Sequence, residues 1–149
     1  MNKAQKILTD SFGREHNYLR ISLTERCNLR CTYCMPADGI QLSPKSHIMT
    51  YVSLIMEKLS TLPAELAITT NGVIVDRFIE QFKKCGIQKI NVSLDSLDAL
   101  KNESITRRDY FTKVYNNILL LVKEGFEVKT THVAHEQLAN YINKNKITG

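Results

Sequence analysis

Four short stretches of this 149-residue chain alternate apolar with polar residues, and between them lie segments whose apolar residues recur every three to four positions. Leu19, Ile21 and Leu23 alternate with Arg20, Ser22 and Thr24; Leu66 and Ile68 with Thr69 and Asn71; Ile90, Val92 and Leu94 with Asn91, Ser93 and Asp95; Val128 with Lys129. A period of two marks a strand and a period of 3.6 a helix. Strands and helices taken in turn imply an α/β fold with a mostly parallel sheet and right-handed crossovers, here a partial barrel. Strands buried on both faces of such a sheet read as nearly unbroken apolar runs, and these do not. The apolar rows must therefore face the helices, which leaves the polar rows together on the opposite face, the lumen of a curved sheet. A donor-rich lumen is a ligand site. The blander reading is that these polar residues satisfy one another or meet solvent across an open sheet.

The first strand is expected over Tyr18 to Thr24. A helix follows from Thr50 as N-cap through Tyr51 to about Leu62, with Val52, Ile55, Met56 and Leu59 on one face and Pro63 as its stop. Leu66 to Thr70 reads as the next strand, and Asn71-Gly72 as the turn into a helix carrying Phe78, Ile79, Phe82 and Cys85. Gly86 ends that helix. Lys89 to Asp95 is a third strand. Asp109 to Glu124 is a helix with Phe111, Val114, Ile118, Leu121 and Val122 inward, Arg107 and Arg108 are its solvated entry, and Phe126 to Thr131 is a fourth strand. No linker or repeat marks a second domain, so residues 1–149 are expected to form one domain with one modest core.

Three cysteines sit in the run Cys27-Asn28-Leu29-Arg30-Cys31-Thr32-Tyr33-Cys34, directly after the first expected strand. Three thiolates from one CxxxCxxC loop can hold three corners of a cubic iron–sulfur cluster and leave the fourth iron open. A zinc site completed by His16 or His47 has the same three-cysteine start, and spacing alone leaves both readings standing. The clustering does not resemble a secreted disulfide framework, so the thiols belong in a reducing compartment. A net charge of +5 favours an anionic ligand such as a nucleotide, but Lys and Arg are spread without a basic block, which argues against nucleic acid. No apolar run reaches the ~18 residues of a membrane span, so a soluble protein without a membrane partner is expected.

The residues around the loop carry a resemblance. Asp10-Ser11-Phe12-Gly13-Arg14, Tyr18 to Thr24, the cysteine loop with Met35-Pro36, and Leu42-Ser43-Pro44-Lys45 are similar to the N-terminal part of the radical S-adenosylmethionine (SAM) enzymes of molybdenum-cofactor biosynthesis, the GTP 3',8-cyclases. The likeness resumes in Thr69-Thr70-Asn71-Gly72, Asn91-Val92-Ser93-Leu94-Asp95 and Ile105-Thr106-Arg107-Arg108-Asp109, and covers roughly residues 9 to 129. It implies a radical SAM type of partial (βα) barrel and a lyase that converts GTP to (8S)-3',8-cyclo-7,8-dihydroguanosine 5'-triphosphate. By the same resemblance Cys27, Cys31 and Cys34 would hold a [4Fe-4S] cluster, and SAM would chelate the open iron. An external electron donor would then split SAM into methionine and a 5'-deoxyadenosyl radical. Positions matching Tyr33 and Ser93 contact SAM in the cyclases, and those matching Arg20, Thr69 and Lys129 contact GTP. Arg20 and Lys129 suit phosphate charge, one through a planar fork and the other as a point charge.

The departures are equally specific. The family's Gly-Gly-Glu-Pro motif, which holds the SAM amino group, occurs nowhere here, and Tyr51 runs straight into what resembles the helix after the missing strand. About one internal βα unit is therefore expected to be deleted. The family's second half, with its second cluster, is expected to be missing, and residues 130–149 leave the family pattern for a polar tail whose last stretch is expected to be disordered. Two readings follow: a chain of the cyclase lineage, or a catalytically inactive truncated or spliced form that retains the cluster or pairs with a full-length enzyme, alongside an ordinary homodimer. The cytoplasm is the expected compartment, or the mitochondrial matrix in a eukaryote. Cys85 reads as a small buried hydrophobe, and His132 and His135 as residues without a metal-binding cluster.

Overall fold

The computed structural model describes residues 11–14, 21, 27–36, 38, 40–41, 52–62 and 64–146. The strand expected over Tyr18 to Thr24 lies outside these residues except for Ile21, as do Arg20, His16, His47, Thr50, Tyr51 and Pro63. The described elements are α1 (Val52–Ser60), β1 (Ala67–Thr70), a 3-10 turn (Val75–Phe78), α2 (Ile79–Lys84), β2 (Lys89–Val92), α3 (Ala99–Thr106), α4 (Phe111–Lys123), β3 (Glu127–Thr130) and α5 (His135–Lys146).

The three strands form one all-parallel sheet in the order β1-β2-β3. Register places Ile68, Ile90 and Val128 in one cross-strand row and Thr69, Asn91 and Lys129 in the next. The alternation read from the sequence is thus carried across the sheet. On the apolar face Ile90, Val92 and Leu94 are essentially without solvent contact, while Thr69 and Lys129 on the other face are exposed. The ladder runs on past the strand ends, since Ser93 N donates to Thr70 O at 2.8 Å and Thr131 N to Val92 O at 3.2 Å.

Against the apolar face pack Val73, Val75, Ile79 and Phe82 of the β1–α2 segment and Phe111, Val114, Ile118 and Leu121 of α4, all in one cluster. Burying each such side chain contributes about 1.5–3 kcal/mol, which is why the 3.6-period stripes settle where they do. Cys85 joins this cluster as a buried thiol, as its helix face implied. Gly86 and Gly125 end their helices at positive φ, +67° and +87°.

Two helices depart from expectation. α3 has no apolar stripe: Leu100 is exposed and the buried residues are Asn102 and Thr106. It forms because the Asp98 carboxylate accepts from Lys101 N at 2.8 Å as an N-cap, and it ends where Arg107 turns left-handed at φ 54°. Arg107 and Arg108 therefore mark the exit of α3 rather than the entry of α4. The polar tail, in turn, is helical over His135–Lys146. Leu138 is buried, and Tyr141 meets the rings of Phe111 and Tyr115 edge-on at 6.4 and 5.4 Å, so two residues three apart dock a helix whose other residues are mostly polar.

Candidate functional site

The cysteine loop is anchored by three buried side chains. Leu29, Cys31 and Met35 are buried, whereas Cys27, Tyr33 and Cys34 are exposed. Cys34 N and Met35 N both donate to Cys31 O, at 3.2 and 3.0 Å, closing a turn around the second thiol. The Arg30 guanidinium donates to Cys27 O and Leu29 O, each at 2.7 Å, and stiffens the first half of the loop. The outer contact is made by α3. A helix leaves its last carbonyls without intrahelical partners, and here Thr106 O accepts from Arg30 N and Ile105 O from Thr32 N, both at 2.9 Å. A helix without an apolar face thus holds the loop through its end.

Three residues just beyond the strands meet the loop or its neighbours. After β1, Asn71 Nδ2 donates to Asn28 Oδ1 at 2.6 Å and to Cys27 Sγ at 3.5 Å. Beyond β2, Asp95, whose side chain is only 7% exposed, accepts from the Tyr33 hydroxyl at 3.1 Å. Past β3, His132 Nδ1 lies 3.2 Å from Asp95 Oδ1, and its ring stands 6.0 Å from that of Tyr33. The loop therefore sits at the carboxyl ends of parallel strands, the place where open α/β sheets bind their ligands.

The Cys31 thiol is pushed up to about 11, by burial first, with Cys34 and Asp95 adding to the rise and a hydrogen bond from the Tyr33 hydroxyl opposing it. The Tyr33 hydroxyl is raised as well, by burial of that group first and by the Asp95 carboxylate second. Without a metal Cys31 is thus held as a neutral thiol, and coordination is what would remove its proton.

The donor set fits an iron–sulfur cubane. None of the four cysteines is in a disulfide, and three of them come from eight consecutive residues. Among the described residues no three His, Cys, Asp or Glu side chains converge on a single ion. A cubane has no such requirement, because each thiolate meets an iron at its own corner.

Thr69 and Lys129 flank Asn91 one strand to either side, about 10 Å apart across the sheet. Lys129 pairs with its neighbour Glu127 at 3.3 Å, both largely exposed. Ser93 is the first residue past the end of β2, on the Asn91 and Asp95 side and half-buried. Arg20 is outside the described residues. Sequence reasoning missed Asp95 and Asn71 as loop anchors although both belong to the polar rows it picked out. His132 and the α3 carbonyls gave no sequence signal, because neither a lone imidazole nor a backbone oxygen has one.

A family model described as the radical SAM superfamily matches residues 45–138, downstream of the cysteine loop. Molybdenum cofactor biosynthesis protein moc-5 of Caenorhabditis elegans is 42% identical over 150 residues, covering 79% of this chain and 25% of its own length. The mitochondrial GTP 3',8-cyclase of Arabidopsis thaliana is 36% identical over 157 residues, covering 84% and 40%. The GTP 3',8-cyclase of Campylobacter jejuni is 32% identical over 164 residues, covering 89% and 51%. This chain spans about a quarter to a half of the length of these relatives. The nematode alignment runs over 150 positions but uses 79% of 149 residues, about 118, so about 32 positions of that relative have no counterpart here. That is the size of the expected missing βα unit. Among the described residues no helix is long and apolar enough to cross a membrane.

Proposed function

The chain belongs to the radical SAM superfamily, and from that premise we propose that it is the cluster- and SAM-binding part of a GTP 3',8-cyclase of molybdenum-cofactor biosynthesis. The observation that carries this reading is the seat of the Cys27-Cys31-Cys34 loop at the carboxyl ends of the parallel strands, tied to β1 through Asn71 and to β2 through Tyr33 and Asp95. Cys27, Cys31 and Cys34 would hold the [4Fe-4S] cluster. Bound there, the cluster would supply the one-electron reduction, fed by an external donor, that splits SAM.

The chain's own residues bind and orient. Tyr33, its hydroxyl fixed by Asp95, and Ser93 just past β2 position SAM beside the cysteine loop. Thr69 and Lys129 take GTP from either side of Asn91, Thr69 through one hydrogen bond and Lys129 through phosphate charge. Arg20 is assigned to GTP on the resemblance alone. The reducing compartment such a cluster needs is the cytoplasm or the mitochondrial matrix, and the plant relative's name specifies a mitochondrial protein.

Anaerobic reconstitution with iron and sulfide, followed by electron paramagnetic resonance of the reduced protein with and without SAM, tests the reading. A cubane signal that shifts on adding SAM is expected, and Cys31→Ser is expected to abolish iron uptake. A cluster indifferent to SAM would favour an inactive form that retains the cluster or pairs with a full-length enzyme. Full iron content in Cys31→Ser would refute the ligand assignment.

A further inference from the structure

Two N–H groups point at the Cys27 sulfur. One is the backbone of Leu29 at 3.4 Å, within the loop itself; the other is the side-chain amide of Asn71 at 3.5 Å, brought from the far side of the sheet end. The orientation of that amide is set, because Asn71 Oδ1 accepts from Val73 N at 3.2 Å and leaves Nδ2 to face Asn28 and Cys27. Its backbone is set too. Gly72 sits at φ +78°, and a Cβ there would lie 2.8 Å from Val92 Cγ1 and 3.1 Å from Val114 Cγ1. Asn117, a buried residue of α4, donates to Gly72 O at 2.7 Å and to Val73 O at 3.3 Å. A donor aimed at a ligand sulfur is thus placed by the core, through Gly72 and Asn117, and shared with Asn28 of the loop.

Hydrogen bonds to cluster sulfurs are among the levers that set reduction potential, since they favour the more electron-rich state. We propose that Asn71 is a positioning residue that donates to the Cys27 thiolate and raises the potential of the cluster held there. This rests on the cluster reading above.

The test uses the parent chain, Asn71→Ala, Asn71→Asp and Asn28→Ala, each reconstituted anaerobically with iron and sulfide. Midpoint potentials are read by redox titration under electron paramagnetic resonance, and folding by circular dichroism. Asp keeps an oxygen for Val73 N but loses the donor. Both position-71 variants are expected to fold, to load iron and to titrate at more negative potential than the parent. A parental potential in both overturns the proposal, as does a shift in Asn71→Asp alone, which is a charge effect. Folded variants that take up no iron also overturn it, because they assign Asn71 to assembly. Should both unfold, Asn28→Ala decides: freeing the amide from its competing acceptor raises the potential if Asn71 donates to sulfur, and an unchanged value overturns the assignment. A parent that binds no iron defeats the cluster reading, and this inference falls with it.

Discussion

Helices α3 and α4 are neighbours in the chain and opposites in construction. α4 buries Phe111, Val114, Ile118 and Leu121, two of them completely. α3 leaves Leu100 79% exposed, buries polar residues, and offers its last carbonyls to Arg30 N and Thr32 N of the cysteine loop. One helix is defined by a face and the other by its two ends. A helix fixed by a face carries the fold, and damage to it is felt everywhere. A helix fixed by its ends carries a loop, and modest damage there reaches the site before it reaches the fold.

Ile118→Ala is the harshest test of the first half of that contrast. It removes a wholly buried side chain and is expected to cost about 2–5 kcal/mol in urea unfolding. A loss near zero would mean that α4 does not seat the sheet. Next comes Gly72→Ala, where a side chain meets Val92 and Val114 in a left-handed backbone; about 1–3 kcal/mol is expected from the same measurement. Asp98→Ala removes the α3 cap and should cost about 1 kcal/mol. Its signature is selective: hydrogen exchange at the Arg30 and Thr32 amides accelerates while the α4 amides stay protected. Equal acceleration at the loop amides and in α4 would break the comparison.

A further effect, confined to alkaline solution, is one of pH on the metal-free protein. The Cys31 thiol is raised from 9.0 to about 11, so the unfolded chain loses that proton first. The corresponding stability is complete below pH 9 and is lost as the pH rises towards 11. Alkylation of Cys31 at pH 8 should accordingly lag that of exposed Cys27 and Cys34. Replacing Cys31 with Ser should flatten this part of the stability profile, and an unaltered slope would assign it to another group.

What was legible followed periodicity. Val114, Ile118 and Leu121 announced α4, and the alternation through Ile90, Val92 and Leu94 announced both faces of β2. Boundaries were less sharp. β2 ends at Val92 rather than Asp95, although Ser93 N still bonds to Thr70 O, because the ladder frays gradually where the chain turns towards the site. α3 escaped notice because caps are single residues: Asp98 before Ala-Leu-Lys-Asn-Glu was the available sign, and no stripe supported it. α5 escaped because Leu138 and Tyr141 are two apolar residues in a polar run, and their docking depends on rings presented by α4.

By itself the sequence determined the parallel α/β architecture, the apolar and polar rows of its strands, and the three thiols of one loop. Period and spacing are local properties, fixed wherever the chain happens to fold. Only the tertiary structure decided what grips that loop: Asn71 at Cys27, Asp95 at Tyr33 with His132 alongside, and the α3 carbonyls at Arg30 and Thr32. Those partners lie tens of residues apart in the chain. Nothing but the packing of β1, β2 and α4 brings them to one end of the sheet.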